Sequence, residues 1–174
     1  IAKAAGFPME HVFAQGNNKS QREIEEYVDA GVACFVVDTH EEIERVSAYA
    51  SAQGVTQKII IRVCPGIEAD THAYIQTANE DSKFGFNIRN GAAEEALVYA
   101  LTLPGIEVAG FHCHIGSQIF ALHSFDEAIK VIVEFAARVK GHYGIEVGEI
   151  DVGGGLGIAY TTEENPSSID EFAE

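Results

Sequence analysis

Positive charge is what this sequence has least of. Eleven lysines and arginines stand against 27 aspartates and glutamates in 174 residues, a formal charge of −16. Such a surface repels the phosphates of nucleic acids and of anionic membranes, so neither is expected as a partner. The general role of an acidic surface is solubility. Cysteine is scarce as well. Cys34, Cys64 and Cys113 make an odd number without regular spacing, which argues against a disulfide framework. Each lies in an apolar, strand-like run and is expected as a buried, reduced thiol, which fits a cytoplasmic setting. No apolar run approaches the roughly 20 residues of a membrane span. The opening residues, Ile1 to Gly6, show no secretory signal pattern and read as the last turn of a helix closed by glycine. The chain is therefore expected to begin inside a structural unit.

What is present is a regular alternation of apolar runs and amphipathic stretches. Strands are expected at residues 11–15, 33–37, 58–63, 108–114 and 149–152. A helix is expected at 20–31, where Ser20 and Glu23 have capping-box spacing, and another at 41–53, between Thr39 and Gly54. Two more are expected at 92–103 and 125–140, the latter with Ile129, Ile132, Val133 and Ala136 at helical spacing. A last one opens near Ser168. The run Ile59-Ile60-Ile61 predicts a strand buried on both faces. Residues 65–90 form a connection far longer than the usual loop of about 2–6 residues, and such loops often carry function. Parallel strands covered by helices leave an open doubly wound sheet or a (β/α)8 barrel. The expected fold is α/β: a partial (β/α)8 barrel with about five βα units and no internal domain boundary over residues 1–174.

Chemistry concentrates at two strand ends. In Phe111-His112-Cys113-His114, His112 and His114 share one face because strand side chains alternate. They are candidates for a two-histidine metal site, for packing on a planar cofactor, or for a hydrogen-bonded core pair. A metal would need further ligands; Asp151 and His72 are the candidates. Gly153-Gly154-Gly155 lets backbone N–H groups approach an anion closely, with Ser117 as a possible hydroxyl donor. The same triplet would also serve a sharp turn where strand and helix pack. The sequence around it is neither a P-loop nor a dinucleotide fingerprint. Arg62, inside an apolar run, needs an anionic partner, either a ligand or a structural ion pair. Lys83 reads as a solvated loop lysine or an anion contact.

Taken together and in order, these segments stop being generic. Gly16-Asn17-Asn18-Lys19-Ser20, Arg62-Val63-Cys64-Pro65-Gly66, Thr71-His72-Ala73-Tyr74-Ile75, Glu80-Asp81-Ser82-Lys83-Phe84-Gly85-Phe86, His112-Cys113-His114-Ile115-Gly116-Ser117-Gln118 and Asp151-Val152-Gly153-Gly154-Gly155 run from one end of the chain to the other. The set resembles the pyridoxal-phosphate decarboxylases with an alanine-racemase-like barrel, which include the diaminopimelate, ornithine and arginine decarboxylases. The loop and the Cys-His-Ile-Gly-Ser-Gln strand resemble the diaminopimelate branch.

The resemblance implies pyridoxal 5'-phosphate as cofactor, a small amino acid as substrate, and decarboxylation of meso-2,6-diaminopimelate to L-lysine, the last step of lysine biosynthesis. A carboxynorspermidine, ornithine or arginine decarboxylase is the neighbouring reading. A metal-dependent barrel hydrolase using His112 and His114, or a non-catalytic regulatory homologue, lies further off. The family implies that His114 stacks on the cofactor ring. It also implies that Ser117, Gly153, Gly154 and especially Gly155 hold the phosphate, and that Arg62 lies beside the ring. Lys83 would sit near the interface of a homodimer with shared active sites, and His112 would act behind His114. No lysine here matches the family's Schiff-base lysine, whose strand is expected to precede this stretch. The Glu-Pro-Gly-Arg segment and the C-terminal β domain are expected to follow it, so the chain is expected to be an internal barrel fragment. Asp70 stands where family members often carry histidine.

Overall fold

The structure, a computed structural model, describes residues 1–67 and 84–173. Elements follow one another as β1 (Phe13–Ala14), α1 (Gln21–Ala30), β2 (Cys34–Val37), α2 (His40–Gln53), β3 (Gln57–Cys64) and β4 (Phe86–Asn87). Then come α3 (Ala92–Leu101), β5 (Ile106–His112), α4 (His123–Tyr143), β6 (Glu149–Asp151) and α5 (Ile169–Ala173). Five strands form a parallel sheet in the order β1-β2-β3-β5-β6. The short β4 pairs with the last two residues of β3, Val63 and Cys64. The sheet curls. Gln15, one residue past β1, donates from its side-chain amide to Asp151 Oδ2 at the end of β6, 3.3 Å away. The two outer strands therefore meet across the concave face, and the architecture is an open arc of a (β/α) barrel with five βα units.

Local chemistry sets the element ends. Ser20 and Glu23 close a complete capping box on α1, and Thr39 Oγ1 accepts from the Glu42 N–H at the start of α2. Strand alternation then divides the sheet into two faces. Phe35, Val37, Ile59, Ile61 and Phe111 point toward the helices and form the main core. Cys34, Val36, Ile60 and Ala109 form a smaller cluster on the concave side. Ile59, Ile60 and Ile61 are thus all buried, as their run predicts, each contributing roughly 1.5–3 kcal/mol. All three cysteines are buried, and no disulfide joins them.

Three local expectations are corrected. The first strand is only two residues long, because Pro8 starts a 3-10 turn over Met9–His11 that uses up its beginning. The long connection contains β4, a strand the sequence reading did not expect. On α4, Ile129 and Val133 are 37% and 47% exposed rather than buried. The core seam is instead Phe125, Ala128, Ile132, Phe135 and Val139, at alternating spacings of three and four, and Ile129 and Val133 fall one residue to its side.

Candidate active site

A cavity of about 700 Å³ opens at the carboxyl ends of the strands. Gln15, Gly16 and Asn17 bound it on the β1 side, and Arg62 and Phe84 in the middle. His112, His114, Asp151, Gly153 and Gly154 bound it on the β5–β6 side. Barrel and doubly wound folds place their chemistry at this edge.

Arg62 faces the cavity from the end of β3, and its partner is internal. Its Nη1 lies 3.2 Å from Asp38 Oδ2, and its guanidinium stacks 4.8 Å from the Phe84 ring centre. The structural ion pair is therefore real, and it points a fixed positive charge along the cavity wall. Opposite, His112 Nδ1 lies 2.9 Å from Asp151 Oδ2, at ion-pair distance but without the alignment of a hydrogen bond. Asp151 Oδ1 accepts the Gly153 N–H at 2.8 Å. The His112 imidazole first, and then this N–H, hold the Asp151 carboxyl below the ordinary carboxylate range, against the opposing effect of burial. His114 follows β5 by two residues and shares the cavity with His112. Burial first, then the positive fields of Arg62 and His112, push its imidazole below the ordinary histidine value, toward the neutral form.

The glycine triplet divides into two kinds of residue. Gly153 and Gly155 have φ of +72° and +109°, and a Cβ on them would clash with Cys113 O and Gly116 O respectively. The fold itself demands glycine at both. Gly154 has no such φ, and a Cβ there would meet nothing within 4 Å, yet it borders the cavity. The loop after β6 is held to the loop after β5 by a parallel bridge, Ile119↔Leu156. Gly155 O accepts the Ile119 N–H at 2.9 Å, and Ile119 O accepts the Gly157 N–H at 2.8 Å.

The structure thus brings together Arg62, His112, His114, Asp151, Gly153 and Gly154, as the sequence reading expects. Ser117 is exposed, and neither it nor Gly155 borders this cavity, although Gly155 lies within one turn of it. Asp70, His72 and Lys83 lie outside the described residues. Among the described residues no three His, Cys, Asp or Glu side chains are grouped to hold a metal ion. Among them, too, no helix is long and apolar enough to cross a membrane. Sequence reasoning missed Asp38, Gln15 and Gln118. Asp38 carried a readable signal: an acid directly after a buried strand, like the strand-end acid Asp151.

The arrangement matches a known family along its whole length. A family model described as pyridoxal-dependent decarboxylase, pyridoxal binding domain, covers residues 1–174. The chain belongs to this family. It is 43% identical over 173 residues to a diaminopimelate decarboxylase of Bacillus methanolicus and 41% identical to that of Corynebacterium efficiens, with 99% of this chain covered in each. It spans 40% and 38% of the length of those two relatives. Among solved structures it superposes on diaminopimelate decarboxylase from Helicobacter pylori complexed with L-lysine, at a TM-score of 0.89 and 30% identity. That match covers 99% of this chain and 43% of the other. The enzyme from M. jannaschii, also in complex with L-lysine, matches at 0.89 and 31%, with 99% and 39% covered.

Proposed function

We propose that this chain is the cofactor-binding barrel segment of a longer pyridoxal-phosphate-dependent carboxy-lyase that converts meso-2,6-diaminopimelate to L-lysine and CO₂. The observation that carries the reading is the meeting of His114, Arg62 and the Gly153-Gly154 turn in one cavity, within a chain matched end to end by a pyridoxal-binding family. The relatives named diaminopimelate decarboxylase, two of them solved with L-lysine, supply the substrate.

The residues present fit the cofactor. A cavity of about 700 Å³ lies within the range of small-molecule sites, roughly 300–1,000 Å³. Gly154 leaves its backbone open where nothing in the fold requires glycine, which suits the close approach of a phosphate. Gly153 and Gly155 shape that turn, and the exposed Ser117 hydroxyl on the neighbouring loop would add a donor to the phosphate. His114, kept toward neutral, offers a flat uncharged face for a planar ring. Arg62, fixed by Asp38, directs positive charge to the ring's edge. His112 and Asp151 support His114 and the turn from behind. Bound pyridoxal phosphate supplies the electron sink for the carbon that loses CO₂. The reading carries with it a homodimer with shared active sites and a cytoplasmic setting.

The test is to purify the full-length protein, record the visible absorbance of bound cofactor, and measure CO₂ release from meso-diaminopimelate, ornithine, arginine and carboxynorspermidine. Turnover of meso-diaminopimelate well above the rest is expected. Preference for another amine narrows the reading to a sister decarboxylase. Cofactor binding without turnover of any of them would favour a regulatory homologue, and no cofactor binding would overturn the reading.

A further inference from the structure

Lys19 belongs to none of the groups at the cavity surface, yet it is 4% exposed. Its ammonium uses all three donors: Gly16 O at 2.6 Å, Val36 O at 2.7 Å and Glu42 Oε1 at 2.6 Å. Glu42, itself 2% exposed, receives the Asp38 N–H on its other oxygen at 2.8 Å. Asp38 in turn holds Arg62. Glu42 is the third residue of α2, where a carboxylate commonly turns back to cap its own helix. Here it serves the residue before the cap and a lysine from another unit.

A buried ion pair is a poor source of stability, because desolvating both charges offsets their attraction. Well-packed apolar residues of the same volume would serve the core as well. Such residues would not tie the β1–α1 loop, the end of β2 and the first turn of α2 to one point, nor fix the backbone that carries Asp38. Gly16 and Arg62, at the two ends of this chain of contacts, both border the cavity.

We propose that Lys19 and Glu42 form a buried charged strut that positions the cavity wall, setting Gly16 directly and Arg62 through Asp38. The inference rests on the reading that this cavity takes pyridoxal phosphate. Both are positioning residues, and neither reaches the cavity.

The experiment compares wild type, Lys19→Met, Glu42→Gln and the double variant Lys19→Met/Glu42→Leu in the full-length protein. It measures apo-protein Tm, cofactor Kd and the absorbance maximum of bound cofactor. Lys19→Met is expected to lower both Tm and affinity, since it leaves Glu42 buried without its cation. The double variant is expected to recover Tm while cofactor affinity stays weakened about tenfold or more, the scale of one lost hydrogen bond to a charged group, with a shifted absorbance. A double variant that recovers Tm and binds cofactor with wild-type affinity and spectrum would overturn the proposal, since the strut would then be structural only. If the double variant fails to fold, Glu42→Gln decides: wild-type affinity and spectrum there overturn the proposal, and a loss of affinity in a folded protein supports it. Wild type that binds no pyridoxal phosphate overturns the functional reading, a failure distinct from a variant series that matches wild type.

Discussion

Gln118 grips Ile158 by both of its backbone groups. Its side-chain amide donates to Ile158 O at 2.9 Å and accepts from the Ile158 N–H at 3.0 Å. Gln118 does this from a left-handed backbone, φ +57°, the only positive φ outside glycine among the described residues. Such a conformation costs roughly 1–3 kcal/mol and persists only where the surroundings enforce it. The paired amide is what enforces it, and it ties the loop after β5 to the loop that carries the glycine turn.

Gln118→Ala should keep the strain and lose the clamp, and Gln118→Gly should lose both. Alanine is therefore expected to destabilise more than glycine, by about 0.5–1 kcal/mol, the usual gain of glycine at such a position. Both should weaken cofactor binding in the full-length protein. Chemical denaturation and cofactor titration check this, and an alanine variant at least as stable as the glycine variant would show that the strain is absent.

Gly154 and Gly155 separate what the sequence merges. Gly155→Ala should destabilise the turn by at least about 1–3 kcal/mol, because a left-handed backbone and a clash with Gly116 O come together. Gly154→Ala should leave Tm nearly unchanged, since its Cβ meets nothing, while loading less cofactor. Thermal melts of apo protein beside cofactor occupancy test the pair. Full occupancy in Gly154→Ala would remove the phosphate from this turn.

Much of the arc was legible because its cues are local. Apolar runs of four to six residues, the Ser20 and Thr39 caps and the stopping glycines fixed the order of elements. The shared face of His112 and His114 followed from strand alternation. What stayed hidden depends on distant partners. Lys19 reads as one more turn lysine until Glu42 and Val36 close around it, and no periodicity links residues 19, 42, 38 and 62. The glycine triplet reads as uniform until neighbouring backbone shows that two members are required by packing and one is not. Ile129 and Val133 were misplaced because helical spacing defines a stripe, and which edge of a stripe is buried depends on the sheet beneath.

Cys34 and Cys113 should be unreactive in the folded protein. Burial pushes both thiols up to about 12, so almost no thiolate exists at neutral pH. Alkylation under native conditions should leave both unmodified, and denaturation should expose them. Rapid native labelling at Cys113, located by peptide mass, would mean that the β5 strand end opens readily.

His112 and His114 should fail in different ways. His112 is 3% exposed and pairs with Asp151, so His112→Ala should leave a cavity and deprive the Asp151 carboxylate of its imidazole partner, at a cost of about 1–3 kcal/mol. His114→Ala, at the cavity wall, should cost less stability and more cofactor affinity. Tm and cofactor Kd measured on the two variants decide this, and the reverse order would exchange their roles.

His114 also sets an acid limit on stability. Its folded-state affinity for a proton lies below that of an ordinary histidine, whose value is 6.5. Between the lowered value and 6.5 the unfolded chain therefore binds more protons than the folded one. Stability must rise with pH through that window and fall as the protein is acidified through it. The cause is burial reinforced by Arg62, so the remedy is specific: His114→Asn, which cannot titrate, should flatten the decline that begins near 6.5. Asp151 adds a separate decline at lower pH. Its carboxyl is held below the ordinary 3.8, so its contribution is present above that value and is lost only as pH falls through the lowered one. Denaturation midpoints across an acid series should thus show an upper step in wild type that is absent in His114→Asn, and a lower decline, shared with Glu23, Glu41, Glu94 and Glu171, that is smaller in Asp151→Asn. An upper step that survives His114→Asn unchanged would assign it to another histidine and remove the case for a neutral imidazole at the cavity wall.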